Sequence, residues 1–484
     1  MEVDFDGVKE TVWTKEEFTL EKALSTLKGE TIAVLGYGSQ GPGQSLNLKD
    51  NGFNVIVGQR ESYHKPGEKP TSWEKALEDK WEPGKNLFSS LGEAAQRGTI
   101  IANLLSDAGQ KMTWPSLEKY VESGKTLYFS HGFGIHFHGH TGIRPGEGVD
   151  VIMVAPKGAG LSVREDFINQ RGINASYAVE RDYSGRALEK TLAIGIGIGS
   201  GYLFKNTFRN EVVEDHFGER AFLLGETFGI AEASYKALRL KDDMPMAEAF
   251  IHSSEQITQV ILPLIGRGGA AEIYKQALAA GELGTVLRYQ EIIKQVTRPF
   301  LETLYKSVES GVQAKIALDS NSNPHYRQNL DAELDGINNS EMWRTGKMVR
   351  EKTDDRTYDM KITNFALAGV IIGAMEAQYQ TLIDHGHSPS GAFNETVEEA
   401  TQSLNRFYQK NGVSHLFGVC STTAQRGALD WGPQFKEILL PEFINGQSTY
   451  PIETLATLDY RSTKPNIWRV GEVVRTLRPG NQKK

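Results

Sequence analysis

Up to about residue 206 the chain alternates short apolar runs with longer stretches whose apolar positions recur every three or four residues. The short runs lie at 31–35, 53–57, 100–105, 126–130, 151–155 and 175–179, and the first four end at Gly or Ser. Runs of that length and β-rich composition predict buried parallel strands of an α/β sheet. From about Phe208 the β-rich runs fade and helical periodicity takes over. The pattern therefore predicts an α/β domain over 1–206 and an all-α domain over 207–484.

The helical half repeats itself. Trp343-Arg344-Thr345-Gly346-Lys347-Met348-Val349-Arg350 is echoed by Trp468-Arg469-Val470-Gly471-Glu472-Val473-Val474-Arg475. Upstream, Gly229, Glu232, Ala233, Tyr235 and Leu238 match Gly373, Glu376, Ala377, Tyr379 and Leu382, and Ala249-Phe250 matches Ala392-Phe393. The register drifts by one residue between these upstream matches, as expected of a duplicated helical unit with copies near 208–350 and 358–475. Aligning the copies sets His252 and Gln256 opposite Glu395 and Glu399, and Asp359 and Thr363 opposite Asp215 and Glu219.

Composition narrows the function classes. At 484 residues the chain is too long for one ordinary core. A net charge of −8 argues against a nucleic-acid partner, which calls for a surplus of Lys and Arg. No apolar run nears the roughly 18 to 20 residues that cross a bilayer. Glu2, Asp4, Asp6 and Glu10 suit neither a signal nor a transit peptide. The expected setting is the bacterial cytoplasm, or an organelle matrix if a leader has been removed. Cys420 is the single cysteine, so an intrachain disulfide and a Cys-rich metal site are excluded.

The run at 31–35 leads into Gly36-Tyr37-Gly38-Ser39-Gln40-Gly41, then a helical stretch and the next strand. That strand–glycine–helix–strand context gives the motif its meaning as a dinucleotide fingerprint. NAD enzymes place an acid at the end of the second strand to hold the ribose hydroxyls. Here the place reads Gly58-Gln59-Arg60, with Lys65 and Lys69 beyond. A guanidinium suits a 2′-phosphate, so NADPH is the expected cofactor, although Glu61 adjoins Arg60.

Two acid pairs stand out in the helical half. Asp215 and Glu219 are four apart, as are Glu395 and Glu399, so each pair shares a helix face. Such pairs are commonly solvated, but Gly218 inside the first is odd for a surface helix, where Gly costs about 1 kcal/mol relative to Ala. The chain resembles the ketol-acid reductoisomerases through six motifs in the family's order. They are the glycine loop, Ser130-His131-Gly132-Phe133, Ala155-Pro156-Lys157-Gly158, Asp215-His216-Phe217-Gly218-Glu219-Arg220, Asn394-Glu395-Thr396-Val397-Glu398-Glu399 and Cys420-Ser421-Thr422-Thr423-Ala424.

The resemblance covers nearly the whole chain and is to the long class of the family. It implies a Rossmann-type NADP-binding domain followed by a duplicated, knotted all-helical domain. It further implies two Mg²⁺ ions held by Asp215, Glu219, Glu395 and Glu399, with Asp215 bridging. His131 and Lys157 match the family's catalytic histidine and lysine and Ser421 its substrate serine, and either Glu399 or a metal-bound water is the expected proton donor to the product alkoxide. Tyr37 to Gln40, together with Gly36, Gly41, Arg60, Ser72, Asp107, Ala108, Gly109 and Gly160, would meet the cofactor. The loop between Arg60 and Ser72 is longer than in relatives. The expected partners are a small 2-hydroxy-3-keto acid and further copies of the chain, as a dimer or tetramer, with no nucleic acid and no membrane.

Other readings are open to test. His136, His138 and His140 would share a face on a strand and invite zinc, but a solvated loop fits better because no acid or cysteine adjoins them. Ser421 could simply cap a helix. Cys420 reads as a small buried hydrophobe. A metal-free β-hydroxyacid dehydrogenase also joins a nucleotide domain to an all-helical one, and would survive EDTA. A non-enzymatic NADP-binding protein would show broken catalytic positions, whereas each position here is filled.

Overall fold

The computed structural model describes residues 1–65, 69–351, 361–445 and 465–479. It divides into two compact units. The first comprises Met1–Asp4, Lys9–Val212 and Arg475–Lys484; the second comprises Phe5–Val8 and Val213–Val474. The division falls inside the Phe208–Arg220 helix rather than before it.

The first unit is built on one ten-stranded sheet. Its strands are β1 (Glu2–Phe5), β2 (Val8–Trp13), β3 (Ile32–Leu35), β4 (Val55–Gly58), β5 (Leu87–Phe88), β6 (Ile100–Asn103), β7 (Thr126–Phe129), β8 (Asp150–Pro156), β9 (Ala175–Arg181) and β10 (Leu203–Lys205). Their order is β1-β2-β10-β9-β8-β7-β6-β3-β4-β5. From β5 to β8 all neighbours are parallel, with the order reversing between β3 and β6. Such a switch point is where doubly wound sheets bind nucleotides, at the carboxyl ends of the strands. The all-parallel expectation is corrected at one side, where β9 runs antiparallel to β8 and β10 antiparallel to β2.

Strand β3 shows why the sheet is buried on both faces. Ile32 and Val34 enter one core with Leu48, Leu192 and Ala193, while Ala33 and Leu35 enter the other with Ala94, Trp114 and Leu117. Period-two alternation sends successive side chains to opposite faces, and here both faces are covered by helices.

The second unit is helical. The Gly225–Lys241 helix packs on Thr422–Asn445, and Leu283–Glu309 packs on Phe365–Asp384. Each of these pairs takes one helix from either half of the repeat. The matched glycines lie at the two crossings: a Cβ at Gly229 would stand 2.7 Å from the Gly432 carbonyl, and one at Gly373 would stand 2.4 Å from that of Gln290. The matched tryptophans are equivalent too, since Trp343 donates to Glu232 at 3.0 Å and Trp468 to Glu376 at 2.8 Å.

Each half also contains an eleven-residue π-helix, Ile251–Ile261 and Asn394–Leu404. Each follows a short α-helix and runs into another that ends at a left-handed glycine, Gly269 or Gly412. π-helical segments of any length are rare and cluster at functional sites. One group in this unit is costly. Glu226, in the first turn of Gly225–Lys241, is wholly buried, and neither of its carboxylate oxygens has a hydrogen-bond partner among the described residues. Burial pushes its pKa up to about 8. The register of the repeat puts Val370, also fully buried, in the equivalent place.

Among the described residues no helix is long and apolar enough to cross a membrane.

Candidate active site

In the first unit the glycine loop leaves β3 and turns into the Gln40–Asp50 helix. Gly36 has φ +98, a conformation that side chains disfavour. A Cβ at Gly41 would stand 2.2 Å from the Gly36 carbonyl, so only glycine lets the helix close on the strand. A Cβ at Gly38, by contrast, would meet nothing within 4 Å. The loop is thus tight at both ends and open in the middle, where a pyrophosphate would approach the backbone.

Other predicted cofactor residues surround this opening in different ways. Ser39 is exposed and makes no capping bond to its own helix. Gln40 donates to the Gly158 carbonyl at 3.0 Å. Gly160 lies against the loop itself, since a Cβ there would stand 1.9 Å from the Ser39 carbonyl; its part is to let the next helix approach. The Tyr37 phenol is buried, donates to Asp79 at 2.6 Å and accepts from the Trp81 indole at 2.9 Å. Asp107, Ala108 and Gly109 open the helix after β6, with Ser106 as its cap accepting from Gly109 N–H at 3.3 Å.

At the end of β4 stands Gln59, whose side chain accepts from the Tyr37 N–H at 2.9 Å. Arg60 beside it is exposed. Two nearby acids among the described residues have local partners: Glu61 accepts from the Tyr63 hydroxyl at 3.0 Å, and Glu74, in the next helix, completes a capping box with Thr71. Ser72 is the first residue of the helix so capped.

His131 and Lys157 meet on a residue that the sequence reading missed. Glu211 accepts from Lys157 Nζ at 3.1 Å and from the Gly132 N–H at 2.5 Å, and its other contact is His131 Nδ1 at 3.1 Å. Burial alone would raise the Glu211 pKa, but the Lys157 ammonium and His131 hold it below the usual carboxylate range. The signal was present in the spacing, because Glu211 lies four residues before Asp215 on the same helix face. The histidines of the His-x-His-x-His run sit on two short helical turns, Phe133–His136 and His138–Thr141, and form no metal-sized group among the described residues.

In the second unit the two acid pairs converge. Asp215, His216 and Glu219 bring ligand atoms within 4.8 Å of one another. Gly218 explains itself here: a Cβ would stand 3.0 Å from the Glu395 carbonyl, so the missing side chain lets the Phe208–Arg220 helix meet the Asn394–Leu404 helix backbone to backbone. Gln378 braces the junction, accepting from the Phe222 N–H at 2.7 Å and donating to the Glu395 carbonyl at 2.8 Å. Glu395 is fully buried and Glu399 nearly so, which rules out a solvated face. Burial, then the charges of Glu219, Glu399 and Asp215, push the pKa of the Cys420 thiol well up. Ser421, next in the chain, is exposed and accepts from the Ala424 N–H at 3.0 Å, so it does cap the Thr422–Asn445 helix.

The donor set of four carboxylates suits hard divalent cations, and gathering like charges in a buried place needs positive charge among them. Of the repeat's mirror positions, His252 Nδ1 lies 2.7 Å from the Thr363 hydroxyl, and Gln256 accepts from the Thr363 N–H at 2.9 Å. Asp359 lies outside the described residues.

Comparison with known proteins agrees with this geometry. A family model described as acetohydroxy acid isomeroreductase, NADPH-binding domain, matches residues 26–202. One described as ketol-acid reductoisomerase, C-terminal domain, matches residues 208–355 and 364–480. The chain is 48% identical over 348 residues to the ketol-acid reductoisomerase (NAD(+)) of Desulfosudis oleivorans, covering 72% of this chain and 96% of that one. It is 45% identical over 350 residues to the mitochondrial ketol-acid reductoisomerase of Saccharomyces cerevisiae, covering 72% and 86%. A solved structure of an NADH-preferring ketol-acid reductoisomerase from an uncultured archean matches with a TM-score of 0.61 at 30% identity, covering 70% of this chain and 98% of that one. A nucleotide fold followed by a helical unit with converging acids, and relatives this similar over nearly their full length, have one reading: the chain belongs to the ketol-acid reductoisomerase family.

Proposed function

We propose that this ketol-acid reductoisomerase uses NADPH and holds two Mg²⁺ at Asp215, Glu219, Glu395 and Glu399. Its substrates are then 2-acetolactate and 2-aceto-2-hydroxybutyrate, rearranged and reduced to 2,3-dihydroxy-3-methylbutanoate and its ethyl homologue on the route to valine and isoleucine. The observations that support the metal assignment are the ligand atoms of Asp215, His216 and Glu219 within 4.8 Å of one another and the close approach of the Glu395 backbone to Gly218 of the same helix. Bound there, the ions would favour the alkoxide of the tertiary hydroxyl and take up charge on the adjacent ketone oxygen.

The chain's own groups supply the rest. Glu211 engages His131 Nδ1, which leaves Nε2 as the acceptor when the ring is neutral. Glu211 also balances the buried Lys157 ammonium, so neither charge is stranded. Glu399 is the acid to return a proton to the product alkoxide. The Ser421 hydroxyl accepts one hydrogen bond as a cap and still has its proton to donate to substrate. NADPH over NADH rests on Gln59 in place of an acid, on an exposed Arg60, and on the local partners of Glu61 and Glu74.

One experiment tests the whole reading: NADPH oxidation followed spectrophotometrically with acetolactate, with and without Mg²⁺. The reading expects turnover that stops in EDTA and returns with Mg²⁺. Turnover unaffected by EDTA would instead favour a metal-free hydroxyacid dehydrogenase.

A further inference from the structure

Beside the first acid pair, Glu214 turns into the interior of the second unit. Its carboxylate Oε1 lies 2.7 Å from His387 Nδ1, and both side chains are fully buried. On the other side of the ring, His387 Nε2 lies 2.7 Å from the Tyr305 hydroxyl. Tyr305 comes from the Leu283–Glu309 helix, packs edge-on against Phe217 and stacks on His385 with ring centres 3.8 Å apart. His385 in turn contacts Glu302 at 2.9 Å. Gly391 keeps the space open, since a Cβ there would stand 2.9 Å from the Glu214 carboxylate.

The place of this pair in the chain gives it meaning. Glu214 immediately precedes Asp215 on one acid-bearing helix. His387 immediately precedes Ser388, which caps Pro389–Phe393, and that helix continues without a break into Asn394–Leu404 with Glu395 and Glu399. One hydrogen bond therefore ties the root of the second acid pair to the helix of the first. At the mirror position the register sets Asp243 or Met244 opposite His387, and no histidine occurs between Lys241 and Ala249.

Stability does not account for it. A buried polar pair replaced by apolar groups of similar size is commonly neutral or stabilising, whereas removal of one partner strands the other. We propose that His387 and Glu214 are positioning residues, whose hydrogen bond sets the spacing between the two carboxylate pairs and so the affinity for Mg²⁺. This inference rests on the two-metal reading of the site. Groups that orient metal ligands typically change affinity by about 10- to 100-fold when lost.

The test is calorimetric titration of the purified full chain with Mg²⁺, beside thermal melting and NADPH binding. His387→Phe is expected to weaken Mg²⁺ binding by about 10- to 100-fold with NADPH affinity unchanged. His387→Gln, whose amide can still donate to Glu214, should recover most of that loss. The double variant Glu214→Met, His387→Phe, made together with Tyr305→Phe so that the hydroxyl facing His387 is removed as well, should melt near the wild type and still bind Mg²⁺ weakly. Wild-type Mg²⁺ affinity in that combined variant would overturn the proposal, as would a loss in His387→Phe that the glutamine does not recover. Absence of Mg²⁺ binding by the unmutated chain would overturn the two-metal reading instead, so the two failures are distinct.

Discussion

Replacing Glu226 with glutamine should make the protein more stable at neutral and alkaline pH and leave it nearly unchanged in acid. The folded state holds this carboxyl at a pKa of about 8 against an ordinary value of 4.5, because burial disfavours its charged form. Between those values the folded chain keeps a proton that the unfolded chain releases. Stability contributed by this residue therefore falls as pH rises, by about 1.4 kcal/mol per unit, and levels off above the folded pKa. At pH 7 the penalty is roughly 3 kcal/mol, an order-of-magnitude figure. Glutamine has the same shape and no ionisation, so it isolates that term. Urea unfolding followed by tryptophan fluorescence, from pH 5 to 8.5, measures the gap between wild type and Glu226→Gln. The gap should open steadily up to about pH 8. Glu226→Val, copying Val370 at the equivalent position, should add a pH-independent gain by removing the polar group altogether. A gap that is constant with pH would refute the reasoning, since it would mean that Glu226 ionises as readily folded as unfolded.

Three further outcomes are expected. The unmutated enzyme should favour NADPH over NADH by at least about tenfold in kcat/KM, and Arg60→Asp should erode that preference; equal use of both cofactors by the wild type would sink the assignment. Asp215→Asn should abolish conversion of acetolactate while sparing more of the reduction of a simple 2-keto acid, because only the rearrangement depends on forming an alkoxide beside the migrating group. Full acetolactate turnover in that variant would remove Asp215 from the site. Calorimetry with Mg²⁺ and cofactor should count about two specific ions per chain, since the mirror positions offer His252, Gln256 and Thr363, already hydrogen-bonded together, and one carboxylate cannot neutralise two divalent ions. Four tight ions would show a second working site.

Much of the first unit was legible because its strands are buried on both faces and so read as uninterrupted apolar runs. All six expected strands are present, with ends shifted by a residue or two. Strands β1 and β2 were not legible: they carry Glu2, Asp4, Lys9 and Glu10, and such charges erase the apolar signal. β5 and β10 are two and three residues long, too short for any period to show. The antiparallel course of β9 depends on how the chain crosses the sheet, which apolar patterning does not record. In the second unit the repeat was visible, but its π-helices were not, because Asn394–Leu404 has the same apolar spacing that an α-helix would have. The convergence of the acid pairs came from family resemblance. Its physical trace in the sequence was the misplaced Gly218, which makes sense only when another backbone lies against it.

The two wide helices have been left with unequal duties. Ile251–Ile261 keeps the widened backbone, yet where its twin has Glu395 and Glu399 it has His252 and Gln256. The shape has outlasted the charge. Substitutions in Ile251–Ile261 thus answer to packing, to the hydrogen bonds of His252 and Gln256 and to the buried Glu255–Arg350 pair, while those in Asn394–Leu404 answer to the paired acids. A single chain therefore holds two scaffolds of one design, of which one carries the acids proposed to hold metal. The other is where a new pair of carboxylates would find a backbone already shaped to hold them.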